Sequence, residues 1–488
     1  MVSKKTDSSY SHILKYTGLF GSVQAIGILV NIVRTKIVAV LLGPVGVGMV
    51  SLFNSTIKFV GDITNLGIAM SAVKDVSKAY EEGDRATLER AATQVRSWCF
   101  VGAVIGMIAC ALFSPLLNSI TFDWGNHTLH FVLLSPVVAL TALLGGELAI
   151  LKGTRQLMDL AKISIYGVLF SLVISVPIYM RYNISGIVPV LFLIALSQFL
   201  IAYHYSSRIL PYRLQLKSRQ LSAGSAMVRL GMSFVLATVM ASGADFVIRA
   251  FINYSSQVDL GLYNAGYVIS VIYASTIFSA MESDYYPRLS SAPSRGALLS
   301  ALVNRQIEVS VLIVSPMLVF LIFGMPIILP LLFSSEFNAV IGMSQIAALG
   351  MIFRGVYLPI EYVPLSRGDS MKYFLQEFIS ALMLVGGVVG GYYLHGLLGA
   401  GIGIATASLA ECIFVMFFSH YFYGYRPSRS VIRYLFIHLL IIAAAYYVAL
   451  NEPTGLYWVA GTSLFLLSLV LSLSTLKEKY SRSDSTKK

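Results

Sequence analysis

The sequence predicts an all-α integral membrane protein with about fourteen transmembrane helices, arranged as two six-helix lobes that are parallel pseudo-repeats, followed by two extra C-terminal helices. Three observations support this fold class. The 488 residues are 57% hydrophobic and only 12% charged, outside the range of soluble domains. The apolar residues fall in runs of about 20, the length that crosses a bilayer as a helix. A shift of 215 residues lays Arg249 on Arg34 and Gly261 on Gly46, which indicates an internal repeat.

Each long apolar run gives one predicted span. The first begins near Thr17 after three lysines, and Arg34 and Lys36 follow it without a small-residue cleavage site. We therefore interpret it as a transmembrane helix and not as a removed signal peptide. The predicted spans are 14–36, 46–72, 97–119, 129–151, 161–181, 185–206, 228–251, 261–285, 306–329, 340–363, 373–394, 399–423, 433–450 and 455–475.

Lysine and arginine are distributed unequally between the two sides of the predicted membrane. Of the 35 basic residues, 29 fall in the terminal segments and in the alternate loops that share one side. Cytoplasmic loops carry such an excess, so we expect both termini in the cytoplasm and an even number of spans. Twelve spans would also satisfy this condition.

The chain divides at a basic segment that contains Pro211. No loop is long enough for a soluble enzymatic domain, so we expect function inside the membrane. The last two spans are expected outside the lobes, against lipid. The predicted parts are an N-terminal lobe over 1–206, a cytoplasmic connector over 207–227, a C-terminal lobe over 228–423, spans thirteen and fourteen over 424–475, and a cytoplasmic tail over 476–488.

Polar side chains follow one face of the second span at steps of three or four residues. They are Ser51, Asn54, Lys58, Asp62 and Asn65. Lys58 lies ten residues from Gly48, about 15 Å along a helix, and so near the middle of the bilayer. Either this face lines a hydrated cavity, or Lys58 and Asp62 pair and hold helices together. Five polar positions exceed the needs of one pair, which favours a cavity.

Two arginines lie near corresponding ends of the first and seventh spans. Arg34 follows the first apolar run, and Lys36 is about 200° away around the helix, so Arg34 is the better candidate for a functional cation. Arg249 shares a face with Asp245. For this second pair, a cavity-lining role and a local ion pair are both open.

Several ionisable residues lie in the remaining spans. Arg354 and Glu361 are seven residues apart on one helical face, which favours a functional role over a structural ion pair. Glu147, Glu411 and Glu377 are isolated acids in the sequence. Each is a candidate for proton or sodium binding, and a protonated helix contact is an equal alternative.

Other chemistries find little support. The basic residues lie in short loops between apolar runs, which excludes nucleic acid as a partner. No Gly-x4-Gly-Lys-Ser/Thr loop occurs, His127 and His130 have no ligand cluster beside them, and the cysteines imply no metal framework. Gly396, Gly399, Gly401 and Gly403 are expected to allow close helix packing and not to form a dinucleotide loop. We therefore expect no enzyme activity, no cofactor and no metal.

Two stretches resemble one family of membrane proteins. The first is RTKIVAVLLGPVGVGMVSLFNSTIKFVGDITNLGIAMSAVKD, from Arg34, and the second is LGLYNAGYVISVIYASTIFSAMESDYYPRLS, from Leu260. They resemble the openings of the two lobes of Wzx-type O-antigen flippases of the polysaccharide transporter family. This resemblance implies the superfamily that also holds multidrug-and-toxin exporters and the lipid II flippase. It also implies cationic cavity residues, which map here onto Arg34, Lys58, Arg249 and Arg354.

The implied function is transport in the bacterial inner membrane. The resemblance implies that an undecaprenyl-diphosphate-linked oligosaccharide, such as an O-antigen unit, moves from the cytoplasmic to the periplasmic leaflet by alternating access. We expect the substrate-binding residues to be these four cations and Asn54, with Asp62, Asp245, Glu147, Glu361 and Glu411 as ion-coupling candidates. The expected partners are the lipid-linked substrate and membrane lipids, with polysaccharide polymerase machinery as a further candidate.

Two alternatives differ in class. A cation-coupled multidrug exporter of the same superfamily would use acids and aromatic residues to bind organic cations. A membrane-embedded polysaccharide polymerase or ligase would be expected to have a large periplasmic loop, whereas the longest predicted outer loops have about ten residues.

Overall fold

The computed structural model describes residues 3–123, 125–216, 224–293, 295–451 and 454–485. Within these ranges the chain is almost entirely helical and contains no strand, which confirms the predicted all-α class. The chain forms two compact units, Met1–Ser255 and Ser256–Lys488.

The first unit opens with α1 (Ser3–Thr64), a long helix that joins the first two predicted spans. It is broken at Gly43, whose φ of 60° and ψ of −172° are not helical. A positive φ suits glycine, and Pro44 has no N–H to continue the helical hydrogen bonding. The Gly43–Pro44 pair therefore breaks α1 between the first two predicted spans.

The second predicted span is shorter than expected. α1 stops at Thr64 and not near residue 72, because Leu66 and Gly67 have φ values of 55° and 65°. α2 (Ile68–Glu81) starts directly after this break. The break brings two backbones together, since a Cβ on Gly67 would lie 2.2 Å from the carbonyl oxygen of Gly231. Gly231 belongs to α8 (Ser225–Ser255).

In the rest of the first unit, one apolar core includes Ile68 of α2 together with Val95 and Ile150 of two later helices. Asp84 caps the helix that begins at Arg85, because its carboxylate accepts hydrogen bonds from the backbone amides of Ala86 and Thr87, each at 3.1 Å. The seventh predicted span, α8, packs against α1 and α2. The helices are α3 (Arg85–Leu112), α4 (Ser114–Thr121), α5 (Thr128–Gly153), α6 (Leu157–Tyr182) and α7 (Ile187–Ile209), with a 3-10 turn at Asn183–Gly186.

The second unit begins with a helix that is widened by one π turn. Residues Ser270 and Ser344 tie this turn to a neighbouring helix through a hydrogen bond of 2.8 Å from a hydroxyl to a carbonyl oxygen. The elements are α9 (Gln257–Tyr267), the π turn (Val268–Ile272), α10 (Tyr273–Ser291), α11 (Ala297–Leu332), a 3-10 turn (Ser335–Val340), α12 (Ile341–Ser366), α13 (Ser370–Tyr423), α14 (Arg429–Ala449) and α15 (Gly455–Ser485).

Helix α13 folds back on itself at His395 and Gly396, which have non-helical backbone angles. Its two halves touch through glycine. A Cβ on Gly391 would lie 2.1 Å from the carbonyl oxygen of Gly399, and one on Gly403 would lie 2.1 Å from the carbonyl oxygen of Gly387. The expectation that the glycines allow close packing is confirmed at Gly399, Gly401 and Gly403.

Among the described residues, eleven helices are long and apolar enough to cross a membrane. Three of them are interrupted, at Gly43, at the 3-10 turn 183–186 and at Gly396. They therefore comprise fourteen helical segments, in agreement with the predicted number. α14 and α15 pack on α11, where the hydroxyl of Tyr457 donates a 2.6 Å hydrogen bond to the carbonyl oxygen of Phe323.

Candidate functional site

The polar face of α1 contains an exposed cation, Lys58, within its second membrane-spanning part and six residues before the helix ends at Thr64. Asn54 and Lys58 are exposed, Asp62 is partly buried, and Ser51 is buried and bonds only its own helix. Lys58 and Asp62 are close enough for their charges to attract, and Asp62 lies within reach of the Ser242 hydroxyl on α8. The second oxygen of Asp62 is buried without a hydrogen-bond partner.

Arg34 lies on the first part of α1 and faces α6. Its guanidinium is partly buried and close to the hydroxyl of Tyr179, which is 2% exposed. The Nε of Arg34 and the Tyr179 hydroxyl are both buried without hydrogen-bond partners. An unpaired buried donor is costly, so this arrangement leaves Arg34 with unused capacity to bind an acceptor.

Arg249 is held within its own helix. Its Nη1 donates to a carboxylate oxygen and to the carbonyl oxygen of Asp245, and the Arg249 side chain is buried. One turn further, the Asn253 amide donates a 2.7 Å bond to the carbonyl oxygen of Thr121 on α4. Both observations favour the local ion pair that the sequence left open.

Glu147 also has a partner, which the sequence reasoning missed. The Nε and Nη2 atoms of Arg96 each lie 3.0 Å from a Glu147 oxygen, and the Ser206 hydroxyl donates to the same carboxylate. The side chains of Arg96 and Glu147 are 1% and 2% exposed. A buried pair of this kind is structural, and Glu147 is thus not an isolated acid. Arg96 was assigned to a loop, and its spacing in the sequence gave no sign of this pairing.

The same arginine fixes the chain that leaves α7. Its Nη1 donates to the carbonyl oxygens of Leu210 and Pro211, at 3.3 and 2.8 Å, and its guanidinium lies 4.8 Å from the ring centre of Tyr212. The amide of Gln215 bonds the hydroxyl of the adjacent Ser97 at 3.0 Å. Residues 210–216, the start of the predicted connector, are therefore attached to α3.

The second unit attaches its corresponding segment in a similar way. Asn304 on α11 donates to the carbonyl oxygen of Arg426 at 2.9 Å, and it accepts from the Tyr425 hydroxyl at 2.8 Å and from the Ser428 amide at 3.2 Å. A buried polar residue of a long helix thus fixes the segment after the sixth predicted span in the first unit, and another fixes the segment after the twelfth predicted span in the second unit.

The largest group of ionisable side chains inside the predicted membrane lies in the second unit. Arg354 and Glu361 on α12 face Glu377 and Glu411 on the two halves of α13. The Glu361 and Glu377 carboxyl groups lie close enough to interact with each other, and the Glu411 carboxyl group lies close enough to interact with the Tyr357 hydroxyl. We call Arg354, Tyr357, Glu361, Glu377 and Glu411 the acidic cluster.

The charges of the acidic cluster do not balance. Its three carboxyl groups face one guanidinium, so full ionisation would leave two uncompensated negative charges in a largely buried place, which is unfavourable. Two carboxyl groups can share a hydrogen bond only if one of them holds a proton, because a carboxylate has no donor. The arrangement is chemically suited to take up and release a monovalent cation.

The acidic cluster does not resemble a site for a bound metal. Within the part of the chain that the structure describes, no group of three or more His, Cys, Asp or Glu side chains could hold a metal ion. Arg354, which the family resemblance maps as a cavity cation, lies among these acids, and its Nε is buried without a hydrogen-bond partner.

Comparison with solved structures identifies the fold. The chain is similar to the lipid II flippase MurJ in an inward closed conformation, with a TM-score of 0.70 and 12% identity over 95% of this chain and 99% of that one. It is also similar to two structures of a multidrug resistance MATE family transporter of the MOP superfamily. The inward-facing structure has a TM-score of 0.63 and 14% identity over 86% of this chain and 96% of that one. The outward-facing structure has a TM-score of 0.55 and 14% identity over 86% of this chain and 94% of that one. No curated protein matches the sequence.

The apolar helices and the fold thus define a multi-pass membrane protein whose architecture is similar to that of the solved flippase and exporter structures. The family can be stated more closely. A family model described as polysaccharide biosynthesis protein matches residues 37–342, more than half of the 488 residues, and the chain belongs to that family. The predicted relationship to polysaccharide transporters is confirmed.

Proposed function

We propose that this protein is a flippase that moves an undecaprenyl-diphosphate-linked oligosaccharide, such as an O-antigen or other surface polysaccharide unit, from the cytoplasmic to the periplasmic leaflet. It would act in the bacterial inner membrane by alternating access, with both termini in the cytoplasm, and it would not be an enzyme. The family match and the flippase-like fold support this proposal.

The observation that carries the proposal is the exposure of Lys58, with Asn54 one turn away, on a helix that spans the membrane. An ammonium group inside the apolar layer is unfavourable against lipid, by about 3 kcal/mol at the centre of a helix and by less toward its end, so it needs water or an anion. A diphosphate headgroup supplies that anion, while its polyprenyl tail can remain in the bilayer.

The four predicted cations are not equivalent as ligands for this headgroup. Arg249 is already paired with Asp245, and Arg354 lies among glutamates. Arg34 and Lys58 are therefore the residues that we propose to contact the diphosphate, with Asn54 contributing hydrogen bonds. The other two cations would contribute mainly to structure and coupling.

We propose the acidic cluster as the coupling site. The sequence analysis names Glu361 and Glu411 as ion-coupling candidates and Glu377 as a candidate for proton or sodium binding. Of the other candidates, Asp245 and Glu147 hold arginine partners, and Asp62 faces Lys58. Uptake of a proton would relieve the excess negative charge, and its release would restore it.

The test is a flipping assay in vesicles with defined lipid-linked sugars. The variant Lys58→Gln should reduce the flipping rate at least tenfold, because it removes one charge-assisted contact of about 1.5–3 kcal/mol. The control is Lys74→Gln, which removes an exposed lysine from α2 and should flip at the parent rate. Parent-level flipping by the Lys58 variant would contradict the proposal.

A second candidate function is cation-coupled drug export, and the acidic cluster is the observation that favours it. Acids beside tyrosines are suited to bind organic cations. The two functions respond differently to the membrane potential. With the cytoplasm negative, outward movement of an anionic headgroup is favoured by about 2.3 kcal/mol per charge per 100 mV. Drug efflux that depends on Glu411, in a protein that does not flip lipid-linked sugar, would support the exporter.

A further inference from the structure

A small polar cavity lies in the second unit beside α12, the helix that carries three members of the acidic cluster. It has a volume of about 10 Å³, enough for about one water molecule. It is bounded by α10, α11 and α12, and its polar wall consists of Glu282, Gln306, Ser310 and Tyr362. Carboxyl, amide and hydroxyl groups together supply the several hydrogen bonds that a water molecule needs.

The cavity lies where three predicted spans reach the same side of the membrane. Glu282 is three residues before the end of the eighth span, Gln306 begins the ninth, and Tyr362 is one residue before the end of the tenth. The positive-inside rule places these ends at the cytoplasmic side. Glu282 and Tyr362 are only partly buried, so this is a place where cytoplasmic water can approach a carboxyl group.

Neighbouring polar groups lead from the cavity to the acidic cluster. The Tyr362 hydroxyl lies close enough to interact with the Glu282 carboxyl group, and Tyr373, which begins the eleventh predicted span, lies near Tyr362. The Tyr373 hydroxyl lies close enough to interact with Glu377. Glu377 in turn interacts with Glu361 inside the cluster. The path therefore begins at a partly buried carboxyl group and ends at the proposed coupling site.

Two other tyrosines hold the entrance to this path in place. The buried Tyr285 hydroxyl donates a 2.8 Å hydrogen bond to the carbonyl oxygen of Pro359, which fastens α10 to α12 at the cavity. The ring of Tyr286 lies edge-on to the ring of Tyr362, with 6.2 Å between the ring centres. The proton of Tyr285 is already donated to the backbone, so this side chain supports the entrance without belonging to the path.

We propose that Glu282, Tyr362 and Tyr373 form a proton relay that connects the cytoplasm to the acidic cluster, with Glu282 as the entry group. This proposal rests on the acidic cluster as the coupling site and adds how a proton reaches it. The relay would take its proton from water in the cavity beside Glu282.

The relay conserves protons at every step. A hydroxyl group has one donor and two acceptor sites, so it can accept a proton on its oxygen while it releases its own. Water gives a proton to the Glu282 carboxylate, which passes it to the Tyr362 oxygen. The former proton of Tyr362 moves to Tyr373, and the former proton of Tyr373 moves to the Glu377 carboxylate. One proton enters and one arrives, and both tyrosines end as neutral phenols.

The experiment measures hydrogen–deuterium exchange of the protonated carboxyl groups of the acidic cluster, by infrared spectroscopy of the purified full-length protein without substrate. Their absorption is identified as the carboxyl band that changes in Glu377→Gln. Glu282→Gln and Tyr362→Phe should slow the exchange of this band at least about tenfold, because a positioned proton-transfer group typically contributes more than that. The matched controls are Tyr286→Phe and Glu336→Gln, which remove a neighbouring hydroxyl and an exposed carboxylate outside the relay. Both should exchange at the parent rate, and the melting temperature of each variant checks its folding.

Three results would overturn the proposal. Exchange at the parent rate in Glu282→Gln and Tyr362→Phe would show that protons reach the cluster by another route, and a lower melting temperature in these variants would then make their contact purely structural. Equal slowing in the controls would indicate a general effect on the helices. A parent protein without a protonated carboxyl band that depends on Glu377 would refute both the relay and the coupling site. A failure of sugar-lipid flipping would leave the exchange result unchanged, so the relay and the flippase function are tested separately.

Discussion

The Arg96–Glu147 pair permits a test that separates the stability of the first unit from the attachment of its connector. Arg96→Met removes the guanidinium and leaves the Glu147 carboxylate buried without its partner. Breaking one side of a buried ion pair costs about 3–5 kcal/mol. We expect a decrease of this size in the free energy of unfolding, measured by denaturant titration of the purified protein in detergent.

The double variant Arg96→Met/Glu147→Met should regain most of this loss, because well-packed apolar replacements of a buried pair are often neutral. Attachment of the connector should not recover in the double variant. The carbonyl groups of Leu210 and Pro211, which accept from Arg96 at 3.3 and 2.8 Å, would still have lost their donor. Each such bond to a charged group contributes about 1.5–3 kcal/mol. Trypsin should therefore cut at Arg213 at least tenfold faster in both variants.

The single variant Glu147→Met is the control for this reasoning. It breaks the ion pair but keeps the donor to both carbonyl groups, so it should be destabilised without faster cleavage at Arg213. The interpretation is wrong if the double variant is as unstable as Arg96→Met. It is also wrong if cleavage is unchanged when Arg96 is removed.

Two further predictions concern the second unit. Gly391→Ala should lower the free energy of unfolding by about 1–3 kcal/mol, because the new Cβ would meet the Gly399 carbonyl oxygen. The control is Gly390→Ala, which has open space around the new Cβ and should leave the free energy of unfolding unchanged. Equal stability of the two variants would contradict the glycine contact. Asp369, between α12 and α13, accepts a 2.6 Å bond from the Tyr423 hydroxyl and a bond from Lys372, which lower its pKa. The ionised Asp369 should stabilise the fold fully above a pH of about 3.9, and this stabilisation should disappear as the pH falls through the lowered pKa. Asp369→Asn should therefore reduce the decrease in melting temperature between pH 5 and pH 2. A decrease equal to that of the parent would refute this prediction.

The fold could be predicted from the sequence because its determinants are local. Twenty apolar residues between charged loops define a span whatever its neighbours are, and the described residues contain eleven helices of membrane-spanning length, three of them interrupted near predicted span boundaries. The errors lie where short-range backbone geometry decides. The helix break at Leu66 and Gly67 falls within an apolar run, and the hydrophobic pattern does not mark it.

The candidate site was predictable only in part, because its geometry depends on which helices meet. The polar face at Asn54, Lys58 and Asp62 follows from helical periodicity alone. The acidic cluster does not, since Glu377 and Glu411 appear isolated until α13 folds back on itself. Arg96 was missed for the same reason. Its partner lies 51 residues further along the chain, and a charge at the end of an apolar run normally belongs to a loop.

The buried arginine on α3 also has a consequence for the synthesis of the protein. Arg96 emerges from the ribosome before Glu147 and Ser206, on which its burial depends. Until they arrive, an unpaired guanidinium is strongly disfavoured below the membrane surface. We therefore expect α3 to remain near the interface until α5 has been inserted. The helices of the first unit would therefore reach their final depth as a group once α7 is made, and the connector would close that group before the second unit is completed.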